Sequence, residues 1–277
     1  MVAVVELSEG PGTGAAYAKA ALGMLPGMRR GGALPDVELV HRGVTVDRAH
    51  LARYDRVCGL RLTDALPGTY PHVLAFPLAM RLMSAGDFPL PMIGLVHVSN
   101  RITVRRAIDA GSRLDLAVRA VDLREHPRGR QFDVVATASV DGEEVWRGVS
   151  TYLRKESAGS RSEHPDPVPS GGAVWRLTAR TGTDYAAVSG DRNPIHTSRV
   201  GAKLFGFPRQ IAHGMWTKAR CLAALEGRLP AAYTVEVAFK QPILLPSTVR
   251  FTSSPADGGW EFGVHGKRPH LTGAITA

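Results

Sequence analysis

Asp191 and His196 stand five positions apart in a segment built from turn residues, Ser189-Gly190-Asp191 followed by Asn193-Pro194. Glycine, asparagine and proline favour tight changes of chain direction, and Pro194 is a poor residue for a helix interior. A folded-back loop of this kind can bring a carboxylate and an imidazole to one water molecule. Histidine titrates near neutrality and can take up and return a proton. A partly buried carboxylate can hold the water and stabilise the imidazolium. Each positioned acid or base contributes about 10²–10⁴-fold to a rate. Such chemistry next to a carbonyl also needs a donor for the oxygen that gains negative charge. Backbone N–H groups at a helix start provide one, aided by the helix dipole. Ala212-His213-Gly214-Met215 opens a helical pattern, and Gly214 carries no side chain to obstruct an approaching carbonyl. Ser189 and Asn193 are the loop-shaping residues of this set. His213, whose backbone flanks Gly214, is a supporting one.

Turn clusters and single histidines usually do no more than fold. The chain offers an internal control. Tyr54…Val57-Cys58-Gly59 and Tyr185…Val188-Ser189-Gly190 match in Tyr, Val and Gly at a constant offset of 131 residues. Later, 96–101 and 235–240 alternate alike, and a turn signal follows each (110–112 and 245–247). This order of features reads as a duplication. In that register the first copy has Leu60 and Ala65 where the second has Asp191 and His196. A turn kept for folding alone would hold similar polar residues in both copies. An active half beside a non-catalytic half fits better.

Between the copies, residues 156–172 are small, polar and rich in proline and glycine, as an exposed linker is. The expected organisation is a first half at 1–155, the linker at 156–172 and a second half at 173–277. In the second half Ile211, Met215, Ala219, Leu222 and Ala223 lie on one helical stripe, predicting a helix over 210–226. Its counterpart over 71–83 starts at Pro71, is apolar nearly all round and is expected to be deeply buried, with Pro77 kinking it. Alternating or β-branched runs at 95–104, 112–122, 131–140, 144–153, 233–239 and 248–254 predict antiparallel strands. One buried helix and an antiparallel sheet per half indicate an α+β fold.

Composition narrows the function. A net charge of +9 draws polyanions, but the basic residues are dispersed and aromatics are 6%, with no nucleic-acid motif. No run approaches the roughly 20 apolar residues of a membrane span. The N-terminus lacks signal-peptide character, and Cys58 and Cys221 have no metal or redox spacing, so a cytoplasmic chain with reduced thiols is expected. Gly10-Pro11-Gly12-Thr13-Gly14-Ala15 superficially suits a dinucleotide turn, but no βαβ succession follows, and a loop or helix start is the reading kept. His265 and His270 read as solvated strand and turn residues rather than metal ligands, and no metal is expected. His97 reads as a barrel-facing or surface residue. Lys203, Arg209 and Lys240 are candidate phosphate contacts, no better supported than ordinary solvated cations.

The run Tyr185…Asp191-Arg192-Asn193-Pro194-Ile195-His196, with Phe205-Gly206-Phe207 and Ile211-Ala212-His213-Gly214-Met215 after it, resembles the MaoC-like, or hydratase 2, family. Tyr70-Pro71-His72-Val73-Leu74-Ala75-Phe76-Pro77 resembles actinobacterial members. The resemblance implies a double hot-dog fold and reversible hydration of trans-2-enoyl thioesters to (3R)-hydroxyacyl thioesters in fatty-acid metabolism. It implies Asp191 and His196 as the catalytic dyad, Gly214 N–H in the oxyanion hole, and a first half that binds the acyl chain. No cofactor is implied beyond the coenzyme A or acyl-carrier-protein arm that the substrate brings. A homodimer is a candidate assembly. A hot-dog thioesterase and a catalytically silent acyl-binding subunit are the alternatives.

Overall fold

A computed structural model describes residues 2–7, 32–92, 94–156 and 171–277. The Gly10–Ala15 stretch and most of the expected linker lie outside the described residues.

The first half runs β1 (Ala3–Glu6), β2 (Val37–Val44), α1 (Arg48–Cys58), α2 (Tyr70–Met83), β3 (Leu95–Val104), β4 (Leu114–His126), β5 (Gly129–Val140) and β6 (Glu143–Lys155). The second half runs β7 (Ala173–Leu177), α3 (Arg180–Ser189), α4 (Pro194–Thr197), α5 (Arg199–Leu204), α6 (Gly214–Ala224), β8 (Tyr233–Phe239), β9 (Ser247–Ala256), β10 (Gly259–His265) and β11 (Pro269–Thr276). No helix among the described residues is long and apolar enough to cross a membrane.

The strands form one sheet ordered β1-β2-β4-β5-β6-β3-β8-β11-β10-β9-β7. Pairing β2 with β7, β3 with β8, β4 with β9, β5 with β10 and β6 with β11 turns one half of that order into the reverse of the other. The duplication read from three residue types is therefore a pseudo-twofold of the whole fold. Its axis passes between β3 and β8, where Asn100 faces Val237 and Ile102 faces Val235 across an antiparallel ladder. Two sequence expectations change. The halves share one continuous sheet rather than holding separate ones, and it is not wholly antiparallel, because β1 pairs with β2 in parallel at an edge.

The repeated Tyr…Gly segments are helix ends. Tyr54–Cys58 closes α1 and Tyr185–Ser189 closes α3, and each helix stops at a left-handed glycine, Gly59 (φ 72°) and Gly190 (φ 74°). Side chains other than glycine rarely take that conformation, which explains the match. Tyr54 and Tyr185 meet across the pseudo-axis with ring centroids 6.3 Å apart. The most buried helices are α2 and α6. Apolar residues surround α2, from Tyr70 and Val73 to Leu82 and Met83, as expected for a helix wrapped by a sheet.

On α6 a lysine is fully buried. Lys218 Nζ donates to Asn100 O (3.1 Å), Asn100 Oδ1 (2.6 Å) and Val235 O (3.1 Å). Three donors meet three acceptors from β3 and β8, so the side chain ties the central helix to the seam between halves. Burial drives its pKa well below the ordinary lysine value, while the all-acceptor surround is what an ammonium group requires.

Candidate active site

The left-handed turn at Gly190 throws the chain off α3 and into a loop held by its own side chains. Asp191 N–H donates to Ser189 Oγ at 3.2 Å, and Asn193 N–H donates to Asp191 Oδ1 at 3.2 Å. Asn193 then caps α4, its Oδ1 accepting from Ile195 N–H at 3.3 Å, with Pro194 at the first helical position. Ser189 belongs to the end of α3 rather than to a turn. That single helical turn of α4 carries His196 inward, where it is buried.

His196 Nδ1 lies 2.8 Å from Ile211 O. A carbonyl accepts only, so Nδ1 carries the proton and Nε2 is left as the basic nitrogen. His213 Nε2 lies 3.0 Å from Asp191 O and 3.9 Å from its Oδ2. The two imidazoles stack with centroids 3.7 Å apart and planes 23° from parallel, and Tyr185 backs His213 at 4.9 Å. One ligating atom from each of Asp191, His196 and His213 falls within 4.8 Å of the others. These three residues could in principle hold a metal ion. His196 Nδ1 and His213 Nε2 already face the carbonyls of Ile211 and Asp191, which leaves one free nitrogen on each ring.

Burial sets the protonation. Desolvation lowers the pKa of His196 below its usual value against the opposing pull of Asp191, and it lowers His213 to about 3. Both rings are neutral at pH 7. His213 Nδ1 is buried with no hydrogen-bond partner, as a neutral imidazole tolerates and a charged one does not.

His213 is also the N-cap of α6, which begins at Gly214 rather than at residue 210. Ile211 precedes the helix, in an isolated bridge to Leu244. The apolar stripe ran on past the true start because a residue docked on a strand can continue a helical pattern by position alone. This correction makes Gly214 the first residue of the helix, where a backbone N–H has no partner within the helix. A Cβ at this position would come 2.9 Å from Phe239 Cε1. Glycine lets the start of the helix pack this close to that ring.

Asp191, His196 and Gly214 share the wall of a cavity of about 700 Å³. Its far part is lined from the first half by Phe76, Met80, Met83, Met92 and Leu95, with His72, His97 and Tyr152 between. His97 stacks on Tyr152 at 4.8 Å, and burial pushes His97 to about 3 and His72 to about 4. Lys240 lines the cavity, as does Lys155, which the sequence reading passed over; its signal was its place as the last residue of a strand that ends beside the cavity. Lys203 and Arg209 are not in the lining, and Arg209 instead donates to Pro246 O at 3.3 Å. His265, expected to be solvated, is buried on β10 with its Nε2 3.2 Å from Thr252 Oγ1. It lies within a strand rather than a turn, on the sheet face it shares with Gly263 and Thr252. His270 lines the cavity. Cys58 and Cys221 are free and buried.

Residues 171–259 match the family described as MaoC like domain. The chain is similar to 3-hydroxyacyl-thioester dehydratase X of Mycobacterium tuberculosis, 40% identical over 266 residues that cover 93% of this chain and 95% of the relative. It superposes on a crystal structure of HtdX from the same organism with a TM-score of 0.78 and 39% identity, over 87% of this chain and 99% of that one. A further Mycobacterium tuberculosis protein, described as having a double hot-dog fold, aligns with a TM-score of 0.55 and 14% identity over 84% of this chain and 92% of its own, which speaks to fold alone. With similarity running the length of both halves, the chain belongs to the MaoC-like dehydratase family and folds as a double hot dog.

Proposed function

We propose that this chain is a hydro-lyase that interconverts trans-2-enoyl and (3R)-hydroxyacyl thioesters in fatty-acid metabolism, with Asp191 and His196 as its catalytic pair. The observation that carries the reading is the meeting of a carboxylate, a basic imidazole nitrogen and a helix-start N–H on one wall of a mostly apolar cavity. In hydration, Asp191 and His196 Nε2 hold one water. Nε2 takes a proton as the water oxygen bonds to C3, and the C2–C3 π electrons move onto the thioester oxygen. Gly214 N–H stabilises that oxygen. When the electrons return, C2 takes the proton from the His196 imidazolium, so water is divided as H on C2 and OH on C3. Dehydration runs the same steps backward.

Ser189 and Asn193 keep the Asp191 loop in shape, and His213 supports it through the Asp191 carbonyl. The first half, lacking an acid–base pair at Leu60 and Ala65, receives the acyl tail among Phe76, Met80, Met83 and Met92. This chemistry calls on no metal or redox group. The thioester arm, from coenzyme A or an acyl carrier protein, arrives with the substrate. Two free buried thiols support a cytoplasmic setting.

The test is a chain-length series of enoyl-CoA substrates followed by loss of enoyl absorbance, with (R)/(S) analysis of the product. Asp191→Asn and His196→Ala should each lower turnover by about 10² or more with melting unchanged. Near-normal hydration by either variant would refute the assignment, and release of free thiol without loss of the enoyl signal would make the chain a thioesterase.

A further inference from the structure

From Arg192 to Leu225 the chain has no aspartate or glutamate, and within that stretch Arg192, Arg199, Lys203 and Arg209 precede α6. Arg192, Arg199 and Lys203 are exposed, and none has an ion-pair partner among the described residues. Other arginines on this surface are paired, as in Arg105–Glu144, Arg106–Glu143 and Arg101–Glu236. Arg199 and Lys203 are four apart on α5, an arrangement that costs a short helix stability through like-charge repulsion. Beside that row runs an apolar one. Val200 and Leu204, also four apart, are 70% and 80% exposed, and Phe205 follows at 38%. Large apolar side chains this bare, grouped and rimmed by charge, mark a surface that another molecule covers. Phe205 itself lines the cavity, so the ridge is continuous with its rim. The other exposed lining residues include Lys155 and Lys240, and among the described residues Asp191 is the only carboxylate in the lining.

We infer that α5 and the turn after it form the docking ridge for an acidic acyl carrier protein, which seats its helix on Val200, Leu204 and Phe205 while its thioester-bearing arm enters the adjoining cavity. The inference rests on the hydro-lyase reading for the identity of the arm. A nucleotide headgroup uses cations at the rim but has no partner for a protruding leucine and valine. A small acidic protein with an apolar helix face uses both rows. Charge of opposite sign also speeds encounter, in a salt-dependent way.

The experiment compares crotonyl-CoA with crotonyl groups loaded on an acidic bacterial-type acyl carrier protein, using wild type, Arg199→Glu/Lys203→Glu and Val200→Ser/Leu204→Ser. Binding of the unloaded holo carrier is measured separately by fluorescence anisotropy. Both variants should lower kcat/KM for the carrier substrate about tenfold or more, mainly through KM, and weaken holo-carrier binding equally. Crotonyl-CoA turnover and melting temperature should stay within about twofold and a few degrees of wild type. Raising salt should depress carrier turnover in wild type and far less in the charge-reversed variant. Equal losses on both substrates, unchanged carrier binding in both variants, or no carrier binding by wild type would overturn the ridge. Wild type that binds the carrier but turns over neither substrate would instead refute the hydro-lyase reading and leave the docking in place.

Discussion

Gly214→Ala separates the oxyanion role from folding. The added methyl carbon would lie 2.9 Å from Phe239 Cε1 and 3.0 Å from its Cδ1 and Cζ. Carbon atoms rest at about 3.5–4.0 Å, so roughly 0.5–1 Å must be found somewhere. The Phe239 ring is held in turn by His97, whose centroid is 5.0 Å away. Much of the displacement therefore falls on the helix start, whose N–H is the proposed oxyanion donor. Loss or misplacement of one such donor costs about 10²–10³ in kcat, or about 2.7–4 kcal/mol. The helix itself loses no hydrogen bond, because the N–H of its first residue has no partner within the helix. Kinetics on an enoyl-CoA should show kcat falling about 10²-fold or more, while the melting temperature moves by only a few degrees. Shrinking the obstructing ring with Phe239→Leu should return about tenfold or more of that loss in the double variant, which is a coupling that additive effects would not give. Retention of a third or more of wild-type kcat/KM by Gly214→Ala would refute the reasoning, as would a double variant no faster than the single one.

Three further outcomes follow from buried titratable groups. Burial lowers His196, so its base form persists below the usual histidine range, and the acidic limb of kcat/KM for hydration should fall below about pH 6.5; a limb at or above that value would count against His196 as the base. His72, at about 4, and His97 and His213, at about 3, bind protons less readily folded than unfolded. Their contribution is full above about pH 6.5 and is lost as pH falls from there towards 4–3, by up to about 1.4 kcal/mol per pH unit for each ring. Urea midpoints should therefore drop steeply between pH 7 and 5, and less steeply in His97→Phe, whereas parallel slopes in the two proteins would contradict this. Asp55 is the opposite case. Its Oδ1 is buried without a hydrogen-bond partner, and desolvation together with Glu226 pushes it up to about 6. A carboxyl raised when folded costs stability as pH rises from about 4 to 6 and beyond, so Asp55→Asn should stabilise the protein above pH 6 by on the order of 1 kcal/mol and have little effect at pH 4. Equal or lower stability at pH 7 would refute it.

How far the sequence could be read depended on whether a signal was local. Tyr, Val and Gly at one offset revealed the duplication because a left-handed helix end admits few residues, and both halves use it, at Gly59 and Gly190. The candidate residues Asp191 and His196 stood out in the sequence because Ser189, Asn193 and Pro194 shape their loop through near neighbours. The stacking of His196 on His213 was not legible, since it depends on Ile211 O, fifteen residues from His196, orienting the ring. Helices α1 and α3 were missed because their own sequences are short and mixed, and their pairing across the pseudo-axis is long-range. His97 took the barrel-facing place that its alternating strand allowed, whereas Lys155 reaches the cavity at the very end of β6, beyond the alternating run.

The pseudo-twofold also explains why fusion suits this chemistry. The sheet order repeats without exception from β2 to β7, so strand pairing leaves little room for the halves to differ. The two halves follow different paths after the left-handed glycines. In the second half that stretch becomes α4 and α5, carrying the proposed acid–base pair and the exposed ridge. In the first half the same stretch turns back on its neighbour, where Arg61 N–H donates to Glu226 Oε2 at 3.0 Å and the Arg61 side chain to Glu226 O at 3.2 Å. One loop carries the proposed site, and its counterpart bonds to the chain at the end of α6. Two identical chains would have to build both functions into one sequence. A single chain escapes that constraint, and the cavity beside the proposed acid–base pair can then be lined by methionines from a half to which no reaction is assigned.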